Sequence, residues 1–254
     1  MIERHNIRLN AVKRETYIDV YLPQSYTSSN QAYPVCVMHD GQNLFKLEES
    51  SYGAIWEIDQ RLCETTPETI IVGVPSAPGE VRLNEYGPYP ITHGRFNING
   101  PVGGQGEAYI QSLIDDVLPF VYQTYRCMKG PQNTALMGSS MGGVISVHAG
   151  AIAPHVFGRI ASVSGAFYVS LEPLKERYHH HDFCRLETFY MDTGDAEVGG
   201  GLEDDYLSSN AIIYDLITRN HPPKKHRYRI IPGGIHRETA WAERVLEIYQ
   251  YLWS

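Results

Sequence analysis

The chain has 254 residues, 43% of them hydrophobic, which is enough to bury a substantial core and suits one α/β domain better than two. Its formal net charge of −8 argues against a nucleic-acid or anionic-membrane surface, because binding phosphate requires concentrated Lys and Arg. Cys36, Cys63, Cys127 and Cys184 are far apart and form no C-x-x-C pair, so neither a disulfide framework nor a thiolate zinc site is expected.

In chain order, the runs 5–11 and 15–22 alternate apolar and polar residues, the pattern of an antiparallel edge hairpin with one wet face. The later runs 34–39, 69–75, 134–138, 159–165, 188–194 and 227–232 are more continuously apolar, as in a parallel sheet covered on both faces. Helices are expected between them at 54–64, 107–125, 141–152, 209–219 and 239–252. In the second of these, Ile110, Leu113, Ile114, Val117 and Leu118 recur at helical spacing. Strands alternating with helices define a three-layer α/β sandwich with a mostly parallel sheet and an N-terminal antiparallel hairpin. Two segments read as irregular, 76–106 and 168–187, and loops of such length are expected to carry function at the carboxyl edge of the sheet. No repeat or linker divides the chain, so residues 1–254 read as one domain.

Gly138-Ser139-Ser140-Met141-Gly142 matches G-x-S-x-G, with the apolar run Thr134–Met137 before it and an apolar helix after it. This pattern places a serine on a tight strand-to-helix turn with its hydroxyl exposed, and glycines keep the turn free of collisions. Ser140 then needs a base, since an unassisted hydroxyl is a poor nucleophile at neutral pH. His236, in Gly233-Gly234-Ile235-His236, follows the last strand-like run, where a histidine can be aimed back over the sheet. His221 and His226 precede that run and belong at its other end. Asp192, Asp195 and Glu197 are candidates for the carboxylate that would orient the imidazole. Asp192 still lies within the strand-like run. Asp195 is near enough to its end to cap the turn, and Glu197 lies further on, with reach to turn back. For the oxyanion of an acyl-transfer intermediate, the N–H of Met141 is one candidate donor. The second is the N–H of Gln42, or else Gly41, in the loop His39-Asp40-Gly41-Gln42.

These landmarks, together with Asp192-Thr193-Gly194, Gly234-Ile235-His236 and Trp241, resemble the putative-esterase branch of the α/β-hydrolases. That branch includes feruloyl and acetyl xylan esterases, S-formylglutathione hydrolase, siderophore esterases and mycolyltransferases. The resemblance implies an α/β-hydrolase fold, with Ser140 as nucleophile, His236 as base and Glu197 as acid (Asp195 second). It also implies an oxyanion hole from Gln42 and Met141 (Gly41 second), and Asp40 as a contact to the alcohol portion of the substrate. Tyr86 and Trp241 are further candidate contacts.

No cofactor and no metal is expected. His179-His180-His181 reads as a solvated loop, since consecutive residues converge poorly on one ion. The expected activity is hydrolysis of a small acyl ester of a sugar or simple alcohol. The alternatives are a thioesterase, an acyltransferase, or a catalytically silent binding module of the same fold. The polar start and the lack of a long apolar segment point to a cytoplasmic protein whose partner is a small molecule rather than nucleic acid or membrane. Oligomeric state is not legible.

Overall fold

Two strands, β1 (Ile2–Leu9) and β2 (Arg14–Tyr21), pair antiparallel in register from Ile2–Tyr21 to Leu9–Arg14 and form one edge of the sheet. The computed structural model describes residues 1–91, 101–198 and 202–254. Six further strands follow: β3 (Val35–His39), β4 (Ile70–Val74), β5 (Thr134–Ser139), β6 (Arg159–Val163), β7 (Thr188–Gly194) and β8 (His226–Ile231). The eight strands form one sheet in the order β1-β2-β4-β3-β5-β6-β7-β8, parallel from β4 to β8. β3 lies between β4 and β5, so the chain leaves it to one side and later returns on the other. That reversal opens a crevice at the carboxyl ends of β3 and β5, the usual ligand position in open α/β sheets.

Every residue of β3, β4, β5 and β7 is buried, which explains their continuous apolar runs. Side chains alternate between two cores. Val35, Val37 and Leu136 face one core with Tyr109, Val144, Ile145 and Ile213. Cys36, Met38, Ala135 and Met137 face the other with Trp56, Ile58, Trp241, Val245 and Ile248. β8 departs from expectation. It is the far edge strand and is largely exposed, with Arg229 paired to Glu247 of the last helix, so its run of apolar residues does not mark two covered faces.

The helices are α1 (Ile58–Arg61), α2 (Glu80–Tyr86), α3 (Gly106–Ser112), α4 (Leu118–Thr124), α5 (Met141–Ile152), α6 (Leu171–His179), α7 (Leu202–Arg219) and α8 (Glu238–Trp253). The helix expected over 54–64 shrinks to one turn because Glu57 adopts a left-handed φ of 53°. The helix expected over 107–125 is α3 and α4 joined by a wide π-turn at Leu113–Val117. Pro119 explains the turn, since it donates no N–H and its ring crowds the carbonyl four residues back. The two segments read as irregular contain α2 and α6, and residues 92–100 of the first lie outside the described residues. α7 extends further toward the N-terminus than the apolar spacing indicated. Its first turn is Glu203-Asp204-Asp205, charges that favour a helix N-terminus rather than a buried face. Among the described residues, no helix is long and apolar enough to cross a membrane.

Asp40, Ser140 and Ser164 have left-handed φ angles of 54°, 57° and 50°. Each directly follows the last residue of a strand, β3, β5 and β6 respectively. The sheet therefore ends in three strained corners side by side.

Candidate active site

Ser140 occupies the corner between β5 and α5 with φ 57° and ψ −123°. Its N–H donates to the Val163 carbonyl at 3.0 Å and its own carbonyl accepts from the Ala166 N–H at 3.1 Å, which ties the turn to the end of β6. A Cβ on Gly138 would come within 2.7 Å of the Gly142 backbone, so that glycine is sterically required. At Gly142 the nearest atom would be the His39 Cβ at 3.2 Å. That contact is tight, but it falls short of the collision expected at both positions.

His236 follows the Gly233-Gly234 turn, and its Nδ1 lies 2.8 Å from Glu197 Oε2. The backbone reinforces the pair, because the His236 N–H donates to the Glu197 carbonyl at 2.9 Å. The Glu197 side chain is fully buried, and its Oε1 accepts the Gly194 N–H at 2.5 Å. Burial works to raise this carboxyl. The hydrogen bond and charge of His236 oppose it, with donors from Ser164 and the Gly194 N–H, and together they bring it below the usual Glu value. The result is an ionised, fixed acceptor facing Nδ1.

The other two candidate acids are held elsewhere. Asp195 is exposed, and its Oδ1 accepts the Gly233 N–H at 2.6 Å, capping the turn before His236. Asp192 is buried in a bidentate pair with Arg244, Nε to Oδ2 at 2.9 Å and Nη2 to Oδ1 at 3.1 Å, and also accepts from the Tyr190 hydroxyl. Arg244 and the Trp241 indole both donate to Ser164 Oγ, at 3.1 and 3.0 Å. Ser164 thereby links the Asp192–Arg244 pair to Glu197. Removing Arg244 would strand the Asp192 charge in the core. Arg244→Met is therefore expected to cost about 3–5 kcal/mol of stability, read from urea unfolding; a loss below ~1 kcal/mol would show that the pair is dispensable.

Glu197→Gln is expected to slow ester turnover by about three to four orders of magnitude, and Asp195→Asn by less than about tenfold. Both variants are to be measured on one activated ester at saturation. A larger loss for Asp195→Asn would reverse the assignment.

The loop after β3 turns at Asp40 rather than at Gly41. Gly41 is needed for a different reason: a Cβ there would lie 2.5 Å from the Gly73 carbonyl carbon of β4. The Gln42 side chain is pinned, with Nε2 3.1 Å from both Ser51 Oγ and Ser76 Oγ and Oε1 accepting the Ser76 N–H at 3.1 Å. The N–H groups of Gln42 and Met141 lie in first helical turns, where no acceptor exists within the helix.

Ser140 and His236 share a cavity of about 520 Å³ with Asp40, Arg82, Tyr52, Glu238 and Trp241. Trp241 packs edge-on against the His236 ring, centroids 4.9 Å apart, and so both lines the cavity and braces the imidazole. Asp40 is not a free acceptor, since both its oxygens take 2.7 Å bonds from Arg82. Burial works to raise its pKa, but the Arg82 charge and hydrogen bonds hold it below the usual Asp value. Tyr86, expected to touch substrate, is fully buried instead. Its hydroxyl accepts the Asp40 N–H at 3.0 Å and so supports the loop from behind. Sequence reasoning missed Ser164 and Arg244 as supports, and Tyr206, whose ring lies 4.9 Å from that of His236. None of the three belongs to a motif. Among the described residues, no group of three or more His, Cys, Asp or Glu could hold a metal ion.

Known proteins agree with this architecture. The chain is 30% identical to the uncharacterized protein YbbA of Bacillus subtilis over 151 residues, a match spanning 59% of this chain and 56% of that protein. The IroE-like serine hydrolase from Shewanella oneidensis superposes with a TM-score of 0.74 at 18% identity, covering 99% of this chain and 79% of that one. The enterobactin esterase FES from Shigella flexneri superposes with a TM-score of 0.74 at 16% identity, covering all of this chain and 58% of that one. At these identities the superpositions speak for the fold. The family model described as "Putative esterase" matches residues 10–252, nearly the whole α/β-hydrolase sheet and its helices, and the chain belongs to that esterase family.

Proposed function

We propose that the protein hydrolyses carboxylic esters through a serine-bound acyl intermediate. Ser140 Oγ attacks the ester carbonyl while His236 Nε2 takes its proton, and Glu197 fixes the tautomer and stabilises the imidazolium. The N–H groups of Met141 and Gln42 receive the tetrahedral oxyanion. His236 returns the proton to the departing alcohol, then activates a water that releases the acid. The observation that carries this reading is the 2.8 Å bond from His236 Nδ1 to a buried, ionised Glu197, beside a serine on a strained turn in the same cavity.

The cavity favours a small neutral ester. Its charged lining is balanced, Asp40 against Arg82 and Glu238 beside Arg237, so it offers no cationic surplus to a polyanionic ligand. A volume of about 520 Å³ suits an acyl ester of a sugar or simple alcohol. Fluorophosphonate labelling followed by peptide mapping tests the mechanism, and a label on Ser140 is expected. Absence of any label would remove the serine-hydrolase reading. Turnover of acetyl, feruloyl, longer acyl and formyl-thioester substrates then ranks specificity, and fastest turnover of the thioester would reassign the protein as a thioesterase.

A further inference from the structure

Tyr206 stands in the first turns of α7 and is 3% exposed. Its ring is held between Tyr168, edge-on with centroids 4.9 Å apart, and His236, also at 4.9 Å. Its hydroxyl lies 3.4 Å from His236 Nε2, with the Tyr168 and Ser140 side chains beside it. The phenol oxygen thus stands on the proposed base and beside the proposed nucleophile. No element of the mechanism above uses it.

The chemistry of the imidazole fixes what that contact means. Glu197 accepts only, so Nδ1 carries the proton and donates to it. The neutral ring then has one in-plane lone pair, on Nε2, and it is this lone pair that must receive the Ser140 proton. The Tyr206 hydroxyl therefore donates to the same lone pair that Ser140 needs. Among the described residues, no hydrogen bond between Ser140 Oγ and His236 Nε2 competes with it. An oxygen bonded to Nε2 also competes with the departing alcohol, and later the attacking water, for the atom with which they must exchange protons.

We propose that Tyr206 is a positioning residue that holds the unliganded site in a non-productive arrangement, its hydroxyl standing on His236 Nε2 until an entering ester displaces it. This rests on the serine-hydrolase reading above. The phenol oxygen is fixed to its ring, so the displacement is a small tilt of the whole Tyr206 side chain between Tyr168 and His236. Binding the ester then includes the cost of breaking the phenol contact to Nε2. That cost falls on the free enzyme and not on the bound complex, so it appears in KM and leaves kcat alone.

Tyr206→Phe keeps the ring packing and removes only the hydroxyl. The expected result is labelling of Ser140 by a small fluorophosphonate about three to ten times faster than in the unaltered protein. KM for a small activated ester is expected to fall by the same factor with kcat unchanged. A merely structural role for the ring would move neither in that direction. Tyr206→Leu, measured alongside, removes the ring that braces His236 as well as the hydroxyl, and is expected to lower kcat where Tyr206→Phe does not. Equal or slower labelling of Tyr206→Phe, or a fall in its kcat, would overturn the inference and make the hydroxyl a donor needed during reaction. If neither the unaltered protein nor the variants label, the hydrolase reading fails and this inference goes with it.

Discussion

Ser140→Ala is expected to abolish ester turnover and covalent labelling while the protein stays folded. Alanine at φ 57° is no better accommodated than serine, and the bonds that tie this corner to β6 are made by the backbone, so the turn should persist. What is lost is the hydroxyl proposed to form the acyl bond, and losses of about 10⁴-fold or more in kcat are typical when a triad nucleophile is removed. Single-turnover hydrolysis, labelling and thermal melting measure the three parts of the expectation. The informative rival is Ser139, which also lines the cavity. Labelling that persists in the alanine variant and maps to Ser139 would move the nucleophile by one residue, onto the last position of β5.

His236→Ala should cost a comparable factor, and adding Ser140→Ala to it should change little further. Nucleophile and base act as one unit, so each is nearly worthless without the other. The imidazole is also braced by Trp241 and Tyr206, so its removal opens a gap between two rings. A modest fall in melting temperature should accompany the loss of activity. The kinetic measurement is kcat/KM from about pH 6 to about pH 9 on an activated ester. A variant that keeps near-normal values across that range would place the base elsewhere, and with it the role given to Glu197.

Much of this layout is legible in the amino-acid order. β3, β4, β5 and β7 are buried on both faces, and that environment leaves uninterrupted apolar runs which no helix or hairpin explains as simply. The same rule misleads at β8, where Ile230 and Ile231 look like core residues but lie on an open edge, Ile230 being 54% exposed. Helix boundaries were harder to read. Glu57 gives no warning of its left-handed φ, whereas Pro119 marks the interruption between α3 and α4 for a reader who weighs it. Ser140 and His236 stand out because each needs glycine beside it. Among the carboxylates near His236, position beyond Gly194 and the family resemblance favour Glu197 and leave Asp195 to cap the turn. The structure adds the backbone donors, the Gly233 N–H on Asp195 and the Gly194 N–H on Glu197, which no residue pattern announces. Tyr206 is silent for a related reason, since its role depends on where one end of α7 meets the end of β8.

The three strained corners after β3, β5 and β6 set stability and activity against each other at fixed addresses. Each holds a non-glycine side chain in a backbone conformation that costs about 1–3 kcal/mol. Glycine would relieve that cost at Ser140, whereas at Asp40 and Ser164 it would also strand the Arg82 charge and leave Arg244 and Trp241 without their acceptor. Yet these side chains carry the Arg82 pair, the nucleophile and the link to Glu197. A library selected for heat resistance alone would therefore drift toward glycine at Ser140 and, on the reading above, fill with well-folded, inert proteins. A design campaign on this scaffold should hold the three positions fixed and seek its stability elsewhere, for instance along the exposed β8 edge.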